Sequence, residues 1–142
     1  MPDAYDVPYL VDSSAWIEYL RATGSPANAE VRRLLRTEPE RVATTEPVIM
    51  ELLAGASDAA VFDKLATLTS GLRQLSLTPM VDFHTAATAY RSARTGGRTV
   101  RKLLDCVIAA VAVRTGAVLV HRDRDFDELA EVLPDLCVVS LR

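Results

Sequence analysis

The segment Ala117-Val118-Leu119-Val120 is apolar at every position. A strand with one face in water alternates apolar and polar residues, so a strand of this kind must be covered on both faces. Tyr9-Leu10-Val11 and Cys137-Val138-Val139 repeat the pattern, and Arg41-Val42-Ala43-Thr44 and Leu75-Ser76-Leu77 are weaker candidates. Helical patterns lie between them. Ser13 and Ser14 precede Trp16, Ile17, Tyr19 and Leu20 and read as N-caps. A second helix is expected from Ala29 to about Thr37. Thr45 should cap a third, with Pro47 in its first turn and Gly55 at its end. Further helices are expected from Asp58 to Leu72, Phe83 to Arg94, Val100 to Arg114, and Phe126 to Val132. Apolar strands alternating with helices define an α/β chain with a short, mostly parallel sheet and helices on both faces.

One domain over residues 1–142 is expected, since a chain of this length buries roughly 68–70% of its unfolded surface. Lys and Arg number 16 and Asp and Glu 19, a net charge of −3 that gives no general attraction to a polyanion. No uncharged run exceeds eight residues, so no membrane helix is expected. Asp3 and Asp6 precede the first cation, Arg21, which is the wrong start for a secretory signal, and the chain is expected in the cytoplasm. Cys106 and Cys137 sit in apolar runs without zinc-ligand spacing and are expected as buried, reduced thiols.

Parallel sheets bind ligands beyond the carboxyl ends of their strands. Asp12 stands at that end of the first strand, and Asp123 and Asp125 follow the strand ending at Val120. Asp105 interrupts Leu103-Leu104-Asp105-Cys106-Val107-Ile108-Ala109-Ala110, and its helical neighbours Ile108, Ala109 and Ala112 carry no charge. Glu51 shares a helix face with Pro47, Val48, Ala54 and Gly55. A carboxylate on an apolar face needs an Arg partner, a proton, or a shared cation. Several acids without a local lysine favour the cation, and oxygen-only ligands favour Mg²⁺ or Mn²⁺ over zinc. Each acid alone also has an ordinary reading: Asp12 as a helix cap, Asp123 and Asp125 as a solvated turn.

Beside Asp105, the twelve residues 91–102 hold Arg91, Arg94, Arg98, Arg101 and Lys102 and no acid. They form either a solvated face or a phosphate grip leading to the acids, with Arg98, Arg101 and Lys102 nearest. His84 and His121 have no second His or Cys at ligand spacing. No P-loop, GxGxxG or GxSxG motif occurs.

Four segments, in order, carry a resemblance. They are Leu10-Val11-Asp12-Ser13-Ser14-Ala15-Trp16-Ile17, Thr45-Glu46-Pro47-Val48-Ile49-Met50-Glu51-Leu52-Leu53, Leu104-Asp105-Cys106-Val107-Ile108-Ala109-Ala110, and Arg122-Asp123-Arg124-Asp125-Phe126. The chain resembles the PIN-domain ribonucleases and, within them, the VapC-like toxins of toxin–antitoxin pairs. The resemblance implies Asp12, Glu51, Asp105 and Asp123 as catalytic, metal-binding acids, with Asp125 as a further ligand. Ser13 or Ser14 matches the family's hydroxyl position. His121 stands where the family often has Thr and is expected to support the acids rather than bind metal. The implied activity is Mg²⁺-dependent hydrolysis of RNA, with Mn²⁺ as a substitute. The implied partners are RNA, a cognate antitoxin and a second copy of the chain. Two rival readings are an inert RNA- or antitoxin-binding module and another Mg²⁺-dependent phosphoesterase. A haloacid-dehalogenase-like phosphatase would carry Asp-x-Asp after the first strand, where this chain has Asp12-Ser13-Ser14.

Overall fold

The computed structural model describes residues 6–142; Asp3, one of the acids ahead of the first strand, lies outside them. The chain runs β1 (Tyr9–Val11), α1 (Ser13–Leu20), α2 (Pro26–Thr37), β2 (Val42–Thr44), α3 (Glu46–Ala54), α4 (Ala59–Ser70), β3 (Arg73–Gln74), α5 (Pro79–Thr95), α6 (Leu103–Thr115), β4 (Val118–His121), α7 (Arg124–Val132) and β5 (Cys137–Ser140). The strands form one sheet in the order β3-β2-β1-β4-β5, and every pairing is parallel. Successive residues of β1 and β4 point to opposite faces, yet Leu10, Val11, Leu119 and Val120 are all buried. Both faces are therefore covered, as continuously apolar strands require.

The topology places the site. From β1 the chain winds outward to β2 and β3, then returns to pair β4 on the other side of β1. The strand order reverses between β1 and β4, and the loops leaving their carboxyl ends diverge there. Asp12 leaves β1 and Asp123 leaves β4 at this edge. Beneath it runs α6, buried continuously from Asp105 to Ala112 and packed on α5 through the small residues Ala86, Ala89 and Ala93. Gly116, at φ 70°, ends α6 in the left-handed conformation that lets Ala117 turn back into β4.

Several boundaries differ from the sequence expectation, each for a hydrogen-bonding reason. Asp12, not Ser13 or Ser14, caps α1, because its carboxylate accepts from the Ser14 backbone N–H. β3 is Arg73–Gln74 rather than Leu75–Leu77. Leu75 N–H still donates to Thr44 C=O at 2.8 Å, after which the chain leaves the sheet, so the apolar residues there mark core contact rather than pairing. Ser25 caps α2 from Pro26, and α5 begins at Pro79; both prolines sit at the start of a helix, where their missing N–H is harmless. Helix α6 begins at Leu103 rather than Val100, because Lys102 is extended; the N–H groups of Arg101 and Lys102 go to the Asp125 carboxylate. Cys106 is buried and free as expected, but Cys137 is exposed, because β5 is the last strand of the sheet. Among the described residues no helix is long and apolar enough to cross a membrane.

One buried ion pair locks α5 to α6. Arg114 Nε and Nη2 donate to the two oxygens of Asp82, each at 2.9 Å, and Thr78 N–H donates to Asp82 Oδ2 at 2.7 Å. Burial pushes the Asp82 carboxyl up, but Arg114 and the Thr78 N–H outweigh it and leave its pKa below the ordinary carboxylate value. The unfolded chain thus binds this proton more readily than the folded one. The pair's contribution is complete above the unfolded pKa and is lost as pH falls through the lower folded value. Asp82→Ala is expected to destabilise the chain by about 2–3 kcal/mol at pH 7, below the usual figure for breaking a buried pair because Arg114 is partly exposed. Urea unfolding of both proteins at pH 7 and pH 3 checks this: the gap should narrow at pH 3, and an unchanged gap would deny the pair its role.

Candidate active site

Four elements deliver carboxylates to one pocket. Asp12 N–H donates to Val120 C=O at 2.9 Å, which extends the β1–β4 ladder to the strand end. There Asp12 Oδ2 accepts from Ser14 N–H at 2.9 Å and from Ser14 Oγ at 2.6 Å. Ser14 Oγ also accepts from Arg122 N–H at 2.9 Å, tying the turn after β1 to the loop after β4. Ser13 donates through Oγ to Glu51 Oε1 at 3.2 Å. The adjacent serines thus orient two different acids. Asp105 lies in the first turn of α6, and Asp123 caps α7 by accepting from Asp125 N–H at 2.9 Å. Asp12, Ser13, Ser14, Glu51, Asp105 and Asp123 line one pocket of about 230 Å³, with Ile17 and Lys102 completing its wall.

The pocket is electrostatically strained without a cation. Asp12 and Asp105 are each 2% exposed. Burial pushes the Asp105 carboxyl up to about 8; repulsion from Asp12 and Asp123 adds to this, and Lys102 opposes it. Burial also raises Asp12, against the hydrogen bonds from Ser14. Glu51 is raised by burial and then by Asp12. Asp12 Oδ1 and Asp105 Oδ2 are buried and have no hydrogen-bond partner among the described residues. A buried oxygen of this kind is costly unless something binds it. One oxygen each from Asp105, Asp123 and Asp125 lies within 4.8 Å of the others. Orphaned carboxylate oxygens and an all-oxygen donor set fit a hard divalent cation.

Asp125 differs from the other acids. It is fully buried and accepts from the N–H groups of Arg101 and Lys102, at 3.0 and 3.3 Å, and from Arg101 Nε at 3.2 Å. It lies close to Asp105 and Asp123 but does not line the pocket, and it fixes the turn that starts α6.

The expectation of acids without a local lysine is overturned. Lys102 lies three residues before Asp105, less than one helical turn, and its Nζ stands 3.7 Å from Asp123 Oδ2. Arg101 Nη2 lies 3.1 Å from Asp123 Oδ1. Arg98 is elsewhere: it pairs with Glu128 at 2.9 Å and Glu131 at 3.8 Å on α7. Of the three cations nearest the acids in sequence, two therefore sit at the acids and one, Arg98, is held apart. Ile17 was not flagged by the sequence, although it lies one helical turn beyond the flagged Ser13 and Ser14.

His121, the last residue of β4, is fully buried and stacks on Phe126 with ring centroids 5.2 Å apart. Its Nδ1 accepts from Asp123 N–H at 3.0 Å, so the ring proton sits on Nε2. Burial pushes its pKa down, against the nearby carboxylates, and it stays a neutral support for the Asp123 turn.

A reversal point in a parallel sheet, with acids from β1, α3, α6 and the loop after β4 converging on it, is the arrangement of a PIN domain. The PIN-domain family model matches residues 9–132, and the chain belongs to that family. It is 52% identical over 123 residues, 87% of this chain and 92% of the relative, to Ribonuclease VapC11 of Mycobacterium tuberculosis. VapC ribonuclease Mb1587 of Mycobacterium bovis matches to the same extent. Ribonuclease VapC18 of Mycobacterium tuberculosis is 27% identical over 128 residues, 87% of this chain and 88% of that one. The fold is similar to a chain of DNA-bound VapBC from Salmonella typhimurium, with a TM-score of 0.73 at 17% identity, covering 96% of this chain and 99% of that chain. It is also similar to a chain of VapBC-5 from Mycobacterium tuberculosis, with a TM-score of 0.63 at 21% identity, covering 94% of this chain and 98% of that chain.

Proposed function

We propose that this chain is the toxin of a type II toxin–antitoxin pair: a Mg²⁺-dependent endoribonuclease that hydrolyses RNA phosphodiester bonds and is inhibited by a cognate antitoxin. The observation that carries the reading is the convergence of Asp12, Glu51, Asp105 and Asp123 on one pocket, in a chain 52% identical over most of its length to a VapC ribonuclease. These four acids would hold a divalent cation, with Asp125 behind them; when bound, the ion would supply Lewis-acid chemistry to the scissile phosphate and acidify the attacking water. Ser14 holds Asp12 in one rotamer, and Ser13 does the same for Glu51. Glu51, only half-buried, lines the same pocket, where it would help to orient the attacking water. Ile17 gives the pocket one apolar wall.

The whole chain, residues 1–142, works as one nuclease domain in the cytoplasm, as a homodimer. An Arg or Lys of the antitoxin, set among Asp12, Glu51 and Asp105, is the simplest inhibitor, since it supplies the buried charge that those acids lack. Incubating the purified chain with total cellular RNA tests the function. Discrete cleavage with Mg²⁺, lost in EDTA, is the expected result. An intact RNA pool with Mg²⁺ would leave an inert binding module, and cleavage that survives EDTA would remove the metal from the mechanism.

Arg101 and Lys102 stand between two roles. Both side chains are more than half exposed, yet both lie against Asp123, and Arg101 also holds Asp125. A cation held there competes with a divalent ion and, once displaced, is available to RNA phosphate. The double variant Arg101→Ala, Lys102→Ala is therefore expected to bind Mn²⁺ several-fold more tightly. It should also bind RNA more weakly and with a shallower salt dependence, by about one unit of slope per lost phosphate contact. Arg98→Ala, remote from the acids, should leave Mn²⁺ affinity unchanged. Calorimetric Mn²⁺ titration and RNA binding across a salt series read both effects; weaker Mn²⁺ binding in the double variant would contradict the competition.

A further inference from the structure

We infer that Asp127 is a positioning residue of this centre, acting through His121 on the backbone of Asp123. The inference rests on the reading of the pocket as the metal-binding nuclease site.

Asp127 lies one turn after Asp123 on α7 and is outside the acid pocket. His121 Nδ1 is committed to Asp123 N–H, so the ring must carry its proton on Nε2. That nitrogen is buried and makes no hydrogen bond among the described residues; Asp127 Oδ1 faces it at 3.3 Å as an electrostatic contact. A carboxylate facing that buried N–H favours this tautomer and ring orientation electrostatically, much as the carboxylates behind ligating histidines do. Here the ring grips a peptide N–H instead of a metal. Asp127 is in turn held from its far side. Ser140 Oγ donates to Asp127 Oδ2 at 3.1 Å, and Arg142 Nη1 donates to the same oxygen at 2.9 Å. Phe126 packs against the imidazole and closes the remaining side.

The result is one continuous line of contacts: Ser140 and Arg142 to Asp127, Asp127 to His121, His121 to the Asp123 peptide. Asp123 is the acid that needs this support most. It stands two residues beyond β4 as the N-cap of α7, and, unlike Asp12, its carboxylate is shared among Asp125 N–H, Arg101 and Lys102. A turn free to rotate there would swing Asp123 away from Asp105. Without Asp127, the His121 ring loses the partner that keeps its acceptor nitrogen on Asp123.

A double-mutant cycle tests this, with Mn²⁺ affinity read by calorimetry and cleavage by steady-state kinetics. Asp127→Ala is expected to weaken Mn²⁺ binding by about tenfold, within the range seen when residues behind a ligand are lost. At subsaturating metal, kcat should fall while KM for RNA holds. His121→Phe should show a similar loss, and His121→Asn, which keeps an acceptor near the Nδ1 position, should recover most of it. Asp127→Ala added to His121→Phe should cost nothing further, because both act through one contact. Should Asp127→Ala fail to fold, Asp127→Leu carries the same test, since it fills the side-chain volume and offers His121 no acceptor. If the wild type binds Mn²⁺ but Asp127→Ala matches it, or if the two losses add, the inference is overturned while the nuclease reading stands. If the wild type binds no Mn²⁺, the nuclease reading falls and takes the inference with it.

Discussion

Asp12→Ala is expected to abolish RNA cleavage, lowering the single-turnover rate by more than about a hundredfold, and to leave a folded protein. Residues that merely stand behind a metal ligand already cost about 10–100-fold when removed, and Asp12 offers its own oxygen to the pocket. The stability effect is small because two changes oppose each other. Asp12 caps α1 through Ser14 N–H, and losing a cap costs about 1 kcal/mol. Removing a buried carboxylate that repels Asp105 and Glu51 returns a comparable amount. Asp12→Asn separates the two roles. Its amide oxygen can still accept from Ser14, so the cap survives, but the negative charge is gone. Both variants should be inactive, and Asn should melt no lower than the wild type. Cleavage at saturating enzyme and thermal unfolding, measured side by side, decide the matter. An Asn variant that cleaves at the wild-type rate would show that the charge of Asp12 is not used in catalysis.

How much of this is legible in the sequence depends on whether a residue's partners are near it in the chain. Asp105 stands out because it is the one charge within a run that must be buried, and Asp12 because it ends an apolar strand. The alternation of apolar runs with helical patterns suffices for a parallel sheet, and the reversal point then brings Asp12 and Asp123 to one edge. Glu51 is visible only in combination with the others, since a half-buried glutamate on a helix is ordinary. Contacts that bridge distant segments are not legible. Arg101 and Lys102 read as part of a basic stretch, either solvated or gripping phosphate, because their partners, Asp123 and Asp125, lie more than twenty residues on. The same contacts hold the two residues just before α6. Asp82 precedes the helix expected from Phe83, and nothing near it announces Arg114, 32 residues away. Asp127 is hidden for a similar reason: its importance comes from a neutral ring on a different element, at a position where the family often has Thr.

Asp105→Asn should make the metal-free protein more stable and the metal-loaded protein less so. Burial, with help from Asp12 and Asp123, holds the Asp105 carboxyl near 8, against an ordinary value of 3.8. The folded chain therefore binds this proton more tightly than the unfolded chain. Without a divalent ion, stability falls as pH rises from about 4 toward about 8, because the unfolded state ionises freely and the folded state resists. Above about 8 both states are ionised and the penalty is constant. Asparagine cannot ionise, so the variant loses this slope, and its advantage over the wild type should be largest at pH 8 and small at pH 5. A gain on the order of 1–2 kcal/mol would raise the melting temperature by several degrees in a domain of this size. A divalent cation reverses the order. It stabilises the folded wild type by mass action, by about 2.7 kcal/mol at a hundredfold excess over its dissociation constant. The variant, with one ligand charge fewer, gains less at the same concentration. Melting curves in EDTA and in millimolar Mn²⁺, at pH 5 and pH 8, therefore should cross: the variant above the wild type in EDTA at pH 8, and below it in Mn²⁺. A wild-type curve that Mn²⁺ does not move would mean that the acids do not share a cation. A variant that melts below the wild type in EDTA at pH 8 would mean that Asp105 is already stabilised within the protein, with no cation needed.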